Sequence, residues 1–270
     1  MNAKAIEVRP LTARIGAEIT GIDLSASLGP DEAAAVHTAL AAHQVVFFRD
    51  QRLTPATLEA AGRSLGTPIL HSAVSGLPDH PYIVAIHADA NSKYIAGDDW
   101  HSDLTCDEAP PMGSILYLHT VPETGGDTLF CSMYAAYEAL SERLRGFLDG
   151  LTAEHDADHV YRPLFPDAQR TYPRAVHPVV RTHPVTGRKG IFVNSSYTTR
   201  ILELPKSESD AVLDFLYRHI TNPNFHVRFR WRPHSVAFWD NRCTQHLAVW
   251  DYFPQVRSGW RVTLAGDRPV

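Results

Sequence analysis

Gly97-Asp98-Asp99-Trp100-His101-Ser102-Asp103 sets an imidazole and a carboxylate two residues apart in a segment that reads as extended. Side chains at i and i+2 of an extended chain share a face, so His101 and Asp103 can converge on one cation. Taken alone, the pair also reads as a strand histidine hydrogen-bonded to a nearby acid. A third ligand is offered more than half the chain later. There Trp239-Asp240-Asn241-Arg242-Cys243-Thr244-Gln245-His246 carries a histidine just after an apolar, strand-like run. For His246 to reach His101, a late strand must return beside an early one, as a closed or sandwiched antiparallel sheet allows. Two histidines and one carboxylate hold three positions on one face of an octahedral iron(II) and leave the other face open for a bidentate co-substrate and O2. Structural zinc, by contrast, usually recruits thiolates.

The rest of the chain supplies the strands such a sheet needs. Ile6 to Leu11 and Ala17 to Leu24 alternate apolar and polar residues, Gln44 to Arg49 is a buried-type run, and Tyr82-Ile83-Val84-Ala85-Ile86 follows a Gly/Pro-rich stretch. Gly113 to Leu118 and Thr128-Leu129-Phe130 flank the turn Thr124-Gly125-Gly126-Asp127, and His177 to Arg181 and Lys189 to Val193 flank Thr186-Gly187-Arg188. Phe225 to Trp231, Ser235 to Trp239 and Arg261 to Leu264 end the chain as strands. Helices are predicted from Pro30 to His43, Ala56 to Leu65, Met133 to Leu148 and Ser207 to Ile220, the last opened by a Ser207/Asp210 capping pattern. The pattern is mostly β with flanking helices, one domain over 1–270. A substrate-side loop is expected at about 71–99, where loops next to a site commonly act as lids, and a polar, Pro-rich insertion at about 154–175.

A formal charge of −5 over 270 residues and the lack of a basic run give no reason to expect nucleic acid or an anionic membrane as partner. Cys106, Cys131 and Cys243 are far apart and in no CxxC spacing, which argues against a disulfide framework. No apolar run is long enough to span a bilayer, and the first eight residues lack a signal-peptide core, so the chain reads as cytoplasmic. No phosphate loop or dinucleotide fingerprint appears. Glu154-His155-Asp156 has no nucleophile pattern beside it and reads as structural, and Asp98 and Asp99 read as loop residues.

An open metal face that takes an anionic co-substrate needs fixed guanidinium groups. Arg257 follows His246 by eleven residues and Arg261 lies four further on, a spacing that puts both on one face of a strand. Position alone leaves open whether they meet ligand anions or surface acids. Thr128 could donate a hydroxyl to the same anion or simply fit its strand.

With these residues in place, the sequence resembles the taurine dioxygenase / 2,4-dichlorophenoxyacetate dioxygenase family of iron(II)- and 2-oxoglutarate-dependent oxygenases. The resemblance rests on Arg14 to Ile19 with Gly21 to Leu24, Val46-Phe47-Phe48-Arg49, Trp100-His101-Ser102-Asp103, Gly125-Gly126-Asp127-Thr128, His177 to Pro184 and Trp239 to His246, in that order along nearly the whole chain. It implies a double-stranded β-helix (jelly roll), with iron(II) on His101, Asp103 and His246. It implies that Arg257, assisted by Thr128, takes the distal carboxylate of 2-oxoglutarate, and that O2 is the oxidant. Arg261, His71, the Leu104 amide and Tyr161 resemble the residues that face the primary substrate.

The implied function is hydroxylation of a small anionic organic substrate, taurine or a related alkyl sulfonate. An aryloxyalkanoate or an alkyl sulfate on the same scaffold is the alternative, and a non-catalytic metal- or anion-binding protein is the reading from another class. Family members are often dimers or tetramers, which implies a homo-oligomer. Taurine enzymes carry a substrate-contacting asparagine just before the Trp-His pair. Gly97 stands there, and with Ser132-Met133-Tyr134 it resembles the aryloxypropionate dioxygenases at least as closely.

Overall fold

Val45-Val46-Phe47-Phe48 is buried at every position, so this strand must be covered on both faces. In the computed structural model, which describes residues 5–95, 97–165, 169 and 171–270, it lies inside a seven-stranded sheet. Met1–Lys4, Ala96 in the 71–99 loop, and residues 166–168 and 170 in the 154–175 segment lie outside that description. The sheet order is Glu7–Pro10, Ala17–Thr20, Val45–Phe48, Ser235–Asp240, Gly113–Thr120, Arg257–Leu264 and Ile83–Ala88. All its pairs are antiparallel except Ala17–Thr20 with Val45–Phe48.

Alternation divides the sheet's side chains between two cores. Val46, Phe48, Ile115, Val236, Phe238, Val262 and Leu264 pack against the helices Pro30–His43 and Pro55–Leu65 through Val36, Leu40, Leu58 and Leu65. Val45, Phe47, Leu116, Leu118, Ala237 and Trp239 point the other way, toward Phe130, Val227 and Phe229. These last belong to a three-stranded sheet ordered His226–Phe229, Thr128–Ser132, Thr244–Ala248. Phe47 stacks on Phe229 at 3.9 Å between centroids. Each such fully buried side chain contributes roughly 1.5–3 kcal/mol. The strands of these two sheets also carry the candidate residues Thr128, His246, Arg257 and Arg261.

Several expected elements fall within a residue or two of the observed ones, and the differences have local causes. The predicted helix from Met133 to Leu148 is two helices, Met133–Glu138 and Glu142–Leu148, because Ser141 turns out of helical geometry and its hydroxyl caps Leu144 N at 3.3 Å. The expected Ser207/Asp210 cap does not form. The helix Lys206–His219 starts from Pro205, Asp210 pairs with Lys206 at 2.6 Å, and Ser209 instead accepts Ile201 N at 2.8 Å.

The run His177 to Arg181 breaks at Val179. Arg174–Pro178 pairs with Thr152–Asp156, while Val180–Thr182 pairs with Lys189–Ile191. Both ends of the 154–175 segment are thereby built into a second three-stranded sheet, ordered Thr198–Ile201, Thr152–Asp156, Arg174–Pro178. All three cysteines are buried and free. Among the described residues, no helix is long and apolar enough to cross a membrane.

Candidate metal and anion site

His101 and His246 are brought together by the backbone. His101 N donates to His246 O at 3.1 Å and His246 N to His101 O at 2.8 Å, an isolated antiparallel bridge between the extended residue His101 and the strand Thr244–Ala248. Extension ends at Asp103, which enters a turn, and this is enough to aim its carboxylate back at both rings. Asp103 Oδ1 lies 3.8 Å from His101 Nε2 and 3.9 Å from His246 Nε2, and the ligand atoms of all three residues fall within 4.8 Å of one another. Ligand bonds of roughly 2.0–2.2 Å place neighbouring donor atoms roughly 3 Å apart, so a modest contraction fits a divalent ion.

The surroundings leave these atoms free to bind. His101 Nδ1 donates to the Asp99 carbonyl at 2.8 Å, which fixes a proton on Nδ1 and a lone pair on Nε2. Burial holds the His246 imidazole well below its usual pKa, with His101 adding to the effect, so it is neutral and ligand-competent. Its ring is wedged by Trp239 and Phe130, at 4.6 and 5.9 Å between centroids. Asp103 feels burial, which raises its pKa, but the Arg261 guanidinium, both imidazoles and the Ser114 hydroxyl outweigh it and hold the carboxyl well below the ordinary range. Ser114 Oγ donates to Asp103 Oδ2 at 2.7 Å. Asn241 binds the same residue twice, accepting from Asp103 N at 3.1 Å and donating Nδ2 to Oδ2 at 3.3 Å.

Neither Ser114 nor Asn241 had an assigned role in the sequence. Asn241 sat inside the quoted Trp239–His246 run, and only the fold shows what it holds. Asp98 and Asp99 are exposed and offer no side chain to the cluster.

Arg257 and Arg261 face inward from one strand, while Val262 and Leu264 face the helices. Arg257 is 6 % exposed, and no carboxylate lies within ion-pairing distance of it among the described residues. Its partners are neutral: Gly126 O at 3.1 Å, Thr128 Oγ1 at 3.3 Å and the face of Trp231 at 5.6 Å. Burial pushes its pKa down to about 10, which still leaves it charged. A buried guanidinium without a counter-charge is costly, and an anionic ligand supplies one. The alternative that it meets a surface acid is thereby removed.

Thr128 Oγ1 accepts from both Arg257 and Trp231 Nε1 at 3.0 Å, so its own proton remains to donate. Gly126 at φ 69° turns its carbonyl onto Arg257, a conformation that favours glycine.

Arg261 donates Nη1 to Asp103 Oδ1 at 3.0 Å, and its buried Nε has no partner among the described residues. The other substrate-side residues gather beside it. Leu104 is buried at φ 48°, a left-handed conformation costing a non-glycine residue roughly 1–3 kcal/mol. Tyr161 is joined to Tyr197 by a 2.9 Å hydroxyl contact, stacks on Tyr172, and meets the His71 ring edge-on at 6.3 Å. Burial pushes Tyr161 up to about 12, keeping it protonated. His71 Nδ1 accepts from Ala73 N and Val74 N at 3.1 and 3.2 Å, which places its proton on Nε2.

Gly97 has φ 83°, and a Cβ there would stand 2.7 Å from His101 Cε1. No side chain can therefore reach the substrate from this position without displacing the histidine.

Comparison with known proteins agrees with this geometry. The family described as Taurine catabolism dioxygenase TauD, TfdA family matches residues 7–263. An alpha-ketoglutarate-dependent sulfate ester dioxygenase of Pseudomonas putida is 36% identical over 282 residues, covering 100% of this chain and 92% of that protein. Among solved structures, a taurine dioxygenase from Burkholderia xenovorans is 39% identical at a TM-score of 0.87, covering 99% of this chain and 93% of that one. The structure of AAD-2 in complex with Mn(II) and N-oxalylglycine is 28% identical at a TM-score of 0.81, covering 98% and 99% of the two chains.

Proposed function

We propose, on the premise that this chain belongs to the Taurine catabolism dioxygenase TauD, TfdA family and is a 2-oxoglutarate-dependent dioxygenase, that it hydroxylates a small alkyl sulfonate held by Arg261. His101, Asp103 and His246 hold iron(II), which when bound supplies the activation of O2 coupled to oxidation of 2-oxoglutarate to succinate and CO2. Arg257 clamps the far carboxylate of 2-oxoglutarate, and Thr128 donates its free hydroxyl proton to the same group. The observation that carries this is the buried, acid-free Arg257 beside the His-Asp-His cluster. The two opposed sheets enclosing the site support a double-stranded β-helix scaffold.

For the primary substrate, Arg261 Nε offers a donor to an anionic head, with His71 and the Leu104 amide beside it. Tyr161 and Tyr172 form the wall beside the tail. Because no side chain fits at Gly97, a polar contact to a substrate amine is lost there, which favours an apolar-tailed sulfonate over taurine itself. The relative that acts on sulfate esters favours the second reading, an alkyl sulfate. An aryloxyalkanoate must fit the same aromatic wall. The relatives are enzymes, so the non-catalytic alternative does not stand.

Anaerobic iron(II) plus 2-oxoglutarate should give a weak visible charge-transfer band that is lost in His101→Ala. A colourless mixture without succinate formation in air would overturn the metal reading. A screen of taurine, alkyl sulfonates, alkyl sulfates and aryloxyalkanoates for substrate-dependent succinate then ranks the substrates.

A further inference from the structure

The turn that follows Asp103 rests on two buried histidines with no role in the chemistry above. His155, on the strand Thr152–Asp156, is 0% exposed, and its Nδ1 lies 2.9 Å from Thr105 Oγ1 and 3.3 Å from Thr198 Oγ1. His177, on the neighbouring strand Arg174–Pro178, places Nε2 3.0 Å from the Asp107 carbonyl. Between these two anchors runs the turn that begins with Leu104 at φ 48°. A leucine stays in the left-handed region only where its surroundings over-determine it.

Proton accounting fixes how the anchors work. A carbonyl only accepts, so His177 Nε2 carries a proton and its Nδ1 is bare. Asn194 Nδ2 donates to Thr105 Oγ1 at 3.1 Å and Asn194 N to Thr198 Oγ1 at 3.0 Å, which leaves the closer hydroxyl, Thr105, a proton for the single lone pair of a bare His155 Nδ1. In that arrangement His155 carries its proton on Nε2.

The two remaining nitrogens, His155 Nε2 and His177 Nδ1, are buried without a protein partner among the described residues, on rings 5.4 Å apart. A proton on one and a lone pair on the other make them complementary across a gap that one water would bridge. The opposite tautomer of His155 would set two bare nitrogens side by side. Burial, with His177 adding to it, lowers His155 to about 3, and burial lowers His177 as well, so both rings are neutral at working pH.

The same 194–198 segment steadies the other side of the cluster. Ser195 Oγ donates to the Trp100 carbonyl, just before His101, at 3.1 Å. Asn194 Oδ1 accepts from Tyr197 N at 2.9 Å, and Tyr197 meets Tyr161.

We infer that His155 and His177 form a tautomer-locked pair that holds the turn from Leu104 to Asp107, and are thereby positioning residues that set where Asp103 presents its carboxylate. The inference rests on the metal-centre reading above.

Two measurements test it. Long-range 15N–1H NMR of the wild-type protein, with the resonances assigned through His155→Asn and His177→Asn, should show both rings as the Nε2–H tautomer. A proton on Nδ1 of His155, or an imidazolium at neutral pH, would overturn the pairing. Iron(II) titration should show His155→Leu and Thr105→Val binding about tenfold more weakly, the scale expected for residues that orient ligands, with a displaced charge-transfer band. His155→Asn, whose Oδ1 stands where Nδ1 was, should recover most of the affinity. If His155→Leu and Thr105→Val lower thermal stability while affinity and band stay unchanged, the histidines are structural only. A wild type that binds no iron(II) would sink the metal reading instead, and the tautomer pattern would still decide on the pair.

Discussion

Among the described residues, two buried clusters hold metal-capable side chains within 4.8 Å: His101, Asp103 and His246, and, at the end of the Trp239 strand, His183, Asp240 and Cys243. They look alike until their lone pairs are followed. In the second cluster Asp240 is saturated. Arg242 grips Oδ1 and Oδ2 at 2.9 and 2.7 Å, and His183 Nε2 donates to Oδ2 at 3.0 Å. His183 Nδ1 in turn accepts from Val185 N and Thr186 N, so its only proton is the one given to Asp240. Burial, with Asp240 adding to it, drives the Cys243 thiol far above its usual pKa, away from the thiolate a metal requires. In the first cluster Asp103 also accepts hydrogen bonds, from Arg261 on Oδ1 and from Ser114 and Asn241 on Oδ2. His101, however, keeps a bare Nε2, and both imidazole Nε2 atoms face the less crowded Oδ1 at 3.8 and 3.9 Å. What separates a candidate centre from a structural knot is therefore which donors remain unspent after the protein's own hydrogen bonds are counted.

The largest effect that would break this contrast is in metal stoichiometry. The wild type should bind one iron(II) per chain, His246→Ala should abolish both binding and succinate formation, and His183→Ala should leave both intact. Two bound ions in equilibrium dialysis would overturn the distinction. Next, Asp240→Ala strands Arg242 in the interior and should cost about 3–5 kcal/mol in denaturant unfolding without loss of the metal.

Within the first cluster the arginines sharpen the point. Arg257→Ala should raise the 2-oxoglutarate requirement by roughly 10- to 100-fold, the worth of a charged hydrogen bond, while Arg261→Ala should do so for the primary substrate. Reversed phenotypes would exchange their roles.

The smallest effect is a pH limb. Burial raises the Asp240 pKa, but Arg242 and His183 outweigh it and pull the carboxyl from 3.8 to about 2. The folded value lies below the unfolded one, so the stabilisation is complete above about pH 4 and is lost as pH falls toward 2. That is worth about 2 kcal/mol, and in acid titrations Asp240→Asn should flatten this limb.

The candidate ligands and the candidate anion clamp were legible in the sequence because they depend on residue type and short spacing. His101 and Asp103 share a face over three residues, and Arg257 and Arg261 over five. What surrounds them was not legible, because it is assembled across the fold. Asn241 and Ser114 meet Asp103 only once the central strands pair, and nothing local to Leu104 announces a positive φ. His155 reads as structural in sequence and is so in kind, yet its register opposite Ala175 and Thr198 is what puts it under Thr105. The break between Glu138 and Glu142 could have been seen, since Ser141 is a good cap with an acid directly after it.

The reciprocal backbone bonds between His101 and His246 have a kinetic side. They close a loop of more than half the chain, and contacts of such long sequence separation carry a loop-closure cost that slows folding. A nascent chain that has not yet extended through Thr244–Ala248 owns at most two of the three ligands. All three candidate ligands therefore come together only after the chain has passed Ala248.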